Sequence, residues 1–464
     1  MPPRVRRPGG PGSKKNVAEA ATSRARVALG AIGLEAEFTV LVDGQQERPE
    51  DVFGSPTAIV RQPMMHRTGR SYHLPTGGAI YFDTGVVEVA TPVIEIARGC
   101  AARAGRSLWE SILFVREELD AWERANAREV RLAGFSTHYN VSFDLAPHER
   151  RPGRSVGELA VLLTYILPVP VMLLAANRRS TGIGVRPRGN RVEITADFTP
   201  DASLMIATAT LIVAVVREVM TWPTYRLSEL QGRDIPVMRE FRPVPHSTRK
   251  GWTMRYDTFR ENPFQADIDA PMWDTTGGER LSLRDIAGRI TRYFWPSIKR
   301  ISDPFTLRLI GSVMRGRAPS LLELTDRPPE YEDVGRLCTW DNLFPERILP
   351  RSRYERVLIH AISGQRLHLG DDWYTPTGMR GWSHVIFRRA GDFTRHIFSL
   401  DYLLDHLHKW ERKVRGPAKS IRAGGNGRHR TVRRSVVPPV PAAPPATPFV
   451  EPDDLPPIDD GQPK

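Results

Sequence analysis

The chain is expected to adopt an α+β fold, a mostly antiparallel sheet with helices packed on its outer face, on three observations. Three segments, at residues 33–42, 136–143 and 188–197, alternate side chains with the period of two that sends neighbours to opposite faces of a strand, and a fourth, at 82–92, is a β-branched run after a turn. Segments at 101–127, 202–221 and 400–414 are apolar runs or stripes of helical length and spacing. The 464 residues are 40% hydrophobic with ten Trp, enough to bury one large core or two ordinary ones.

Residues 1–25 mix Pro, Gly, Arg and Lys with few large apolar groups, a composition that cannot offset the entropy of ordering and is expected to be disordered. The 33–42 strand puts Glu35, Glu37 and Thr39 on one face and Leu34, Phe38, Val40 and Val42 on the other. A polar insertion at 43–78, with Arg61, His66, Arg67, Arg70 and His73, reads as a solvated connection, a lid or a substrate loop. A turn at Asp83–Gly85 then leads into a β-branched strand whose one acidic residue is Glu88. Leu108, Ser111, Ile112, Val115, Leu119 and Trp122 mark a long amphipathic helix that covers the sheet's apolar face. The next strand places Ser136, His138, Asn140 and Ser142 opposite Tyr139, Val141 and Phe143.

Residues 159–176 are uncharged over a membrane-spanning length, but Pro168 and Pro170 interrupt them, so a buried helix-turn-helix is expected and no membrane span. Arg178, Arg179, Arg186, Arg188 and Arg191 follow around Gly182 and Gly184, a set suited to phosphate because guanidinium forks and open backbone both serve it. No P-loop motif is present. The last of the four strands aligns Arg191, Glu193, Thr195 and Asp197 opposite Val192, Ile194 and Ala196. Residues 228–278 are loop-rich, and their Trp252, Tyr256, Phe259 and Trp273 with His246, Arg249 and Lys250 can stack an adenine or anchor the loop. Residues 281–315 and 321–337 read as helices, and 353–387 as strands with turns at Gly364 and Gly370. His360 and His368 read as structural or exposed. The stripe Leu400, Leu403, Leu404, Leu407, Trp410 and Val414 forms the last helix, ended by Gly416–Pro417.

Charge is unevenly placed. Of a net +13, residues 1–27 carry seven basic groups and one acidic, 411–434 nine and one, and 435–464 one and five, so the body is nearly neutral. The tails are the expected contact for acidic proteins, nucleic acid or anionic surfaces. Cys100 and Cys338 lie far apart without CxxC spacing, which argues against a disulfide framework or a structural zinc site. With no apolar run before Val27 to read as a secretory signal, a cytoplasmic location is expected.

Glu35 and Glu37 lie about 6 to 7 Å apart on one strand face, where two carboxylates repel unless a cation sits between them. Glu88, His138 and Glu193 extend the set, and carboxylates with one His and no thiolate are hard ligands suited to Mg²⁺ or Mn²⁺. The order Glu-x-Glu, Asp-(x)4-Glu followed by Thr-Pro, His-x-Asn, then Asn-Arg-x-Glu resembles the glutamine synthetase superfamily, in particular its glutamate-cysteine ligase and amidoligase branches of carboxylate-amine ligases. It covers roughly residues 30–220.

That resemblance implies a curved, mostly antiparallel sheet like the glutamine synthetase catalytic domain, spanning 26–415 between disordered tails at 1–25 and 416–464. It implies ATP- and Mg²⁺-dependent amide formation through an acyl phosphate, with the carboxylate of an amino acid, peptide or protein and an amine as substrates. Glu35, Glu37, Glu88, His138 and Glu193 would hold the metal ions, and Arg191, Glu88 and Asn140 would act in catalysis. Arg186, Arg188 and Arg191 would bind the nucleotide phosphates, and Asn140 and Asp83 would position a substrate. The third strand carries His-x-Asn where the family more often has His-x-His. A phosphotransferase or amide hydrolase on the same fold, and a non-catalytic adaptor acting through the tails, are the competing expectations.

Overall fold

The computed structural model describes residues 30–411 apart from 146–148, 247–250, 325–332, 341–342 and 392–393. Both tails, Val414 and the residues Arg249 and Lys250 therefore lie outside the described residues. The chain divides into Met1–Lys413 and Val414–Lys464, and only the first contains described residues.

β1 (Ala31–Val42) is the axis of the fold. Leu34, Ala36, Phe38 and Val40 are fully buried, while the intervening Glu35, Glu37 and Thr39 look to the other face. β2 (Gln45–Glu47), the short helices α1 (Pro49–Phe53) and α2 (Pro56–Ile59), and the hairpin of β3 (Met65–Thr68) and β4 (Ser71–His73) occupy the segment read as a polar insertion. Its strands β2, β3 and β4 join the sheet, while Phe53 and Ile59 of the two short helices are buried in the core.

β5 (Ala79–Asp83) and β6 (Val86–Ala90) join through Thr84 and Gly85, both with positive φ (55° and 95°), the backbone twist that suits a two-residue hairpin. β7 (Ile94–Glu95) leads to α3 (Cys100–Asn126), which lies under β1 and β6. β8 (Val130–Ser142) then pairs along nearly the whole of β1. α4 (Val156–Ile166) opens with a capping box between Ser155 and Glu158, and α5 (Pro168–Ala175) begins at the proline that stops it. The two helices bend by 63° and every residue of α5 is buried. β9 (Gly182–Arg188) and β10 (Arg191–Asp197) form the next hairpin, followed by α6 (Ala202–Val219). Among the described residues α6 is the one unbroken helix long and apolar enough to cross a membrane, and it is 83% buried against α3, α5, α8 and α9 (the last two defined below).

α7 (Ser228–Gln231), β11 (Val244–Pro245), β12 (Trp252–Arg255), β13 (Trp273–Asp274) and β14 (Arg280–Leu281) punctuate the expected loop region. α8 (Leu283–Ile301) and α9 (Pro304–Val313) complete the helical layer. The resulting sheet has twelve strands in the order β11-β12-β9-β10-β8-β1-β6-β5-β4-β3, with β2 and β7 also on β1, and each pairing is antiparallel. The α+β class with a curled sheet backed by helices is as expected.

Two helix and strand assignments differ from the expectation. Leu321–Glu323 is a single 3-10 turn, and residues 333–338 form turns and bridges, so the described part of 321–337 is not a helix. Residues read as a strand from 353 begin with a helix, α10 (Arg353–Ile362), started by a Ser352–Glu355 capping box. Its buried Tyr354, Val357, Leu358 and Ala361 keep helical spacing, which outweighs the local Val and Ile content. β15 (Leu367–Leu369), β16 (Asp372–Arg380), β17 (His384–Arg389) and β18 (Arg395–Ser399) make a separate four-stranded sheet, and α11 (Leu400–Glu411) packs with α10 over a second apolar cluster. His360 is partly buried near Glu411 and His368 is exposed beside Trp373.

The register between β1 and β8 shifts at Glu37/Phe38, where Ser136 faces Glu37 but Gly134 faces Phe38. Phe135 is the extra residue of this bulge. A Cβ on Gly134 would run into the Phe198 ring, which itself packs edge-on against Phe38 with centroids 5.5 Å apart. Gly134→Ala is expected to destabilise the protein by about 1–3 kcal/mol through overpacking, read as a lower urea midpoint at unchanged slope.

Candidate active site on the open face of the sheet

Cross-strand register gathers the acidic residues. Glu37 stands between Glu88 on β6 and Ser136 on β8, while Glu35 stands between Ala90 and His138. Directly opposed residues share a face, so Glu35, Glu37, Glu88 and His138 converge on the side away from the helices. Ligand atoms of Glu35, Glu88 and His138 lie within 4.8 Å of one another, as do those of Glu37, Asp83 and Glu88. Glu88 belongs to both groups. His138 lies between the two β1 carboxylates, with Nδ1 3.6 Å from Glu35 and Nε2 3.6 Å from Glu37. Ser136 Oγ donates to Glu37 at 2.5 Å, and Tyr81 donates its phenol proton to Glu88.

The arginines occupy the neighbouring rung. Asn140 faces Glu193, Glu193 faces Arg186, and Arg191 faces Arg188. Arg188 grips Glu193 bidentately, Nε at 2.8 Å and Nη2 at 3.0 Å. Arg186 contacts the same carboxylate, and Arg191 Nη2 lies 3.9 Å from it while its Nε donates to Asn140 Oδ1 at 2.6 Å. Arg186 Nη2 also reaches within 3.4 Å of His138 Nε2, so the cationic and acidic rungs touch.

Electrostatics separate the carboxylates. Burial opposes ionisation of Glu35, but hydrogen bonding and charge from His138, with Arg191 and Asn140, outweigh it and hold the group at about 2. For Glu193, burial is again outweighed by Arg188, His138 and Arg186, and the carboxyl is held low. Glu88 goes the other way: burial and then the charges of Glu35, Glu37 and Asp83 push it well above the ordinary carboxylate range, against the Tyr81 hydrogen bond. Tyr81 is raised by burial and by Glu35 and Glu88, so it remains a donor.

The donor set fits a divalent cation. Oxygen and imidazole ligands without sulfur suit Mg²⁺ or Mn²⁺, and a carboxyl raised by burial and by neighbouring carboxylates is what such an ion relieves. Because the ion needs the deprotonated ligand, Mg²⁺ binding is expected to release a proton from Glu88, and its affinity to rise with pH until that group has titrated. Calorimetric titrations in buffers of different protonation enthalpy measure the proton directly; affinity that is flat with pH contradicts the assignment. The linked effect on stability runs the other way. A raised carboxyl favours the folded state below its unfolded value of about 4.3, and that contribution is lost as pH rises.

Both rungs open onto a cleft of ≈ 930 Å³ whose lining includes Glu37, Asp83, His138, Arg186 and Asp197. That volume lies within the range of small-molecule sites. Asp197, at the far edge of this face, accepts from Asn177 N–H at 2.9 Å and Ser180 Oγ at 3.2 Å, and burial raises it to about 6.

Several residues stand elsewhere than expected. Arg186 stands on a strand, β9, that the Gly189–Asn190 turn folds onto β10, while Arg191 lies on β10 as expected. Arg178 donates to the carbonyls of Leu322, Phe264 and Ala266 and ties the helical layer together. Trp252, Phe259 and Trp273 anchor their loop to the core, and only Tyr256 of that aromatic set is exposed. Tyr81 and Ser136 complete the site. Tyr81 stands two residues before Asp83, so period two already placed it on the acidic face.

The fold and site define an α+β protein with a cation-type carboxylate cluster beside an arginine rung on one open sheet. No family model matches the sequence, and neither does any curated protein. Among solved structures, the complex between prokaryotic ubiquitin-like protein Pup and its ligase PafA is similar at 10% sequence identity and a TM-score of 0.38. The match covers 62% of this chain and 65% of that one, so the chain spans just under two thirds of that neighbour's length.

Proposed function

We propose that this protein is an ATP- and Mg²⁺-dependent carboxylate-amine ligase that forms an amide through an acyl phosphate. The observation that carries the proposal is the contact between two rungs of one sheet face: a carboxylate and histidine cluster, and three guanidinium groups held by a single buried carboxylate. The motif order along the chain supports the same reading. A γ-phosphoryl passing between oxygens needs its charge neutralised and its geometry fixed rather than covalent help.

Glu35, Glu37, Glu88 and His138, with Asp83 at the rim, would hold Mg²⁺, which when bound neutralises charge on the nucleotide phosphates. In the structure Glu193 is taken up by arginines, so we assign it to aligning Arg186, Arg188 and Arg191 as well as to the metal role that the family resemblance implies. The arginine forks would grip phosphate oxygens bidentately. Asn140 holds Arg191 by its Nε while Glu193 lies 3.9 Å from Nη2, and the half-exposed guanidinium would turn its terminal nitrogens toward phosphate. A substrate carboxylate oxygen would attack the γ-phosphorus and ADP leave; the amine nitrogen would then attack the acyl carbon and phosphate leave, with Asp83, which lines the cleft, helping to position the amine.

The test is ADP release from Mg-ATP across a panel of amino acids, peptides and polyamines. With the carboxylate labelled in ¹⁸O, one label is expected in the released phosphate. ADP release that needs no amine identifies a phosphotransferase instead, and an unlabelled phosphate contradicts the acyl phosphate.

A further inference from the structure

We infer that this protein forms a two-fold symmetric dimer in which β18 of one copy pairs antiparallel with β18 of a second, joining their four-stranded sheets into one. The order of that sheet is β15-β16-β17-β18, so β18 (Arg395–Ser399) is an edge, and no other described strand pairs with its outer side. A strand edge with free N–H and C=O groups is a template for another strand, and folded proteins usually blunt it with a charge, a proline or a covering element. At the middle of β18 stands Ile397, 50% exposed.

The ladder fixes which backbone groups are available. Arg389 N–H donates to Thr394 O at 3.0 Å and Leu400 N–H to Ser383 O at 2.7 Å, one at each end of the β17–β18 pairing. Hydrogen-bonded and non-hydrogen-bonded pairs alternate in an antiparallel ladder, so His396 and Phe398 also bond toward β17, and Arg395, Ile397 and Ser399 turn N–H and C=O outward. Those three positions are self-complementary. With the two-fold axis at Ile397, the two isoleucines exchange both bonds, and Arg395 stands opposite Ser399 of the partner subunit. A parallel, in-register pairing instead brings the two arginines side by side, which opposes association.

Side chains support the same axis. Ile397 pairs with the partly buried Ile386 of β17, on the sheet face opposite the buried Val385 and Phe387. Across the axis this pair becomes a row of four isoleucines over four strands. On the other face Phe398 stacks on Tyr402, near the start of α11, with centroids 5.1 Å apart, and Tyr402 is 38% exposed. The same edge therefore offers a second apolar contact. β15, the sheet's other edge, has only three residues, and its Leu367 is buried, so it is the poorer partner for β18.

Sedimentation equilibrium of the full chain tests this, with a dimer expected. Ile397→Lys sets two ammonium groups against each other at the axis and is expected to weaken the dimer by at least about tenfold, with a cooperative melt retained because the side chain is half exposed. Ile348→Lys, at a residue 63% exposed and off this edge, is expected to leave the dimer unchanged. Ser399→Asp keeps an oxygen for the Tyr402 N–H that Ser399 Oγ accepts, and adds a carboxylate opposite Arg395 of the partner subunit. Two such pairs are expected to tighten the dimer by about two- to thirtyfold at low salt. A wild-type monomer at every attainable concentration overturns the proposal. So does a dimer that ignores Ile397→Lys, that Ile348→Lys weakens equally, or that Ser399→Asp fails to tighten. Growth beyond two copies also overturns it, because head-to-tail pairing does not close.

Discussion

Glu35→Ala is expected to lower nucleotide turnover by roughly 10²–10³-fold or more, the scale seen when one preorganised electrostatic partner of a transition state is removed. The residue sits where β6, β1 and β8 bring Glu88 and His138 together, and it is the carboxylate most strongly held in its charged form. Its removal takes a charge from one group and eases the repulsion that, after burial, raises Glu88. Because a carboxyl held well below its ordinary value stabilises the fold at neutral pH, metal-free Glu35→Ala protein is expected to melt lower than wild type but still cooperatively, and to lose the Mg²⁺-dependent rise in Tm. Thermal melts with and without Mg²⁺, beside turnover assays, separate the two effects. A variant that loses its fold and its activity together contradicts a site role.

Glu193→Ala has a different signature. Glu193 and Arg186 have side chains 1% and 5% exposed, and the carboxylate is the shared partner of three guanidinium groups. Truncating one partner of a buried pair strands the other, at about 3–5 kcal/mol. The fully buried Arg186 carries most of that loss, since Arg188 and Arg191 reach solvent. Mg-ATP or Mg-tripolyphosphate is expected to recover part of the lost Tm, because phosphate oxygens can take over the forks. A loss below about 1 kcal/mol, or no recovery with polyphosphate, contradicts the assignment of Glu193 as the residue that aligns the arginines.

Much of the site was legible because its residues obey strand periodicity. Glu35, Glu37, His138, Asn140 and Glu193 fall on one face of their strands by counting alone, and antiparallel pairing then brings the faces into one plane. The destination of Glu193 was not legible: it depends on the register of β9 against β10, which sets Arg186 and Arg188 around it. Phe135 was hidden for a similar reason. Nothing in Gly134-Phe135-Ser136 announces a bulge, which exists only because two strands of different residue count are paired. Helix α10 shows the converse, a missed local signal. Ser352 and Glu355 form a capping box three residues apart, but the Val, Leu and Ile that follow favoured a strand reading. The 43–78 segment was misjudged because short strands at a sheet edge carry too few residues to show a period.

Mn²⁺ binding followed by electron paramagnetic resonance tests the metal and nucleotide site most directly, and it needs no knowledge of the acid or the amine. Wild-type protein is expected to bind Mn²⁺ more tightly with ATP than without it. The bound ion should show nitrogen hyperfine coupling from His138 that disappears in His138→Gln, and binding should weaken in Glu35→Ala. Free Mn²⁺ unchanged by protein, with or without ATP, or a bound ion whose spectrum ignores both substitutions, contradicts the site.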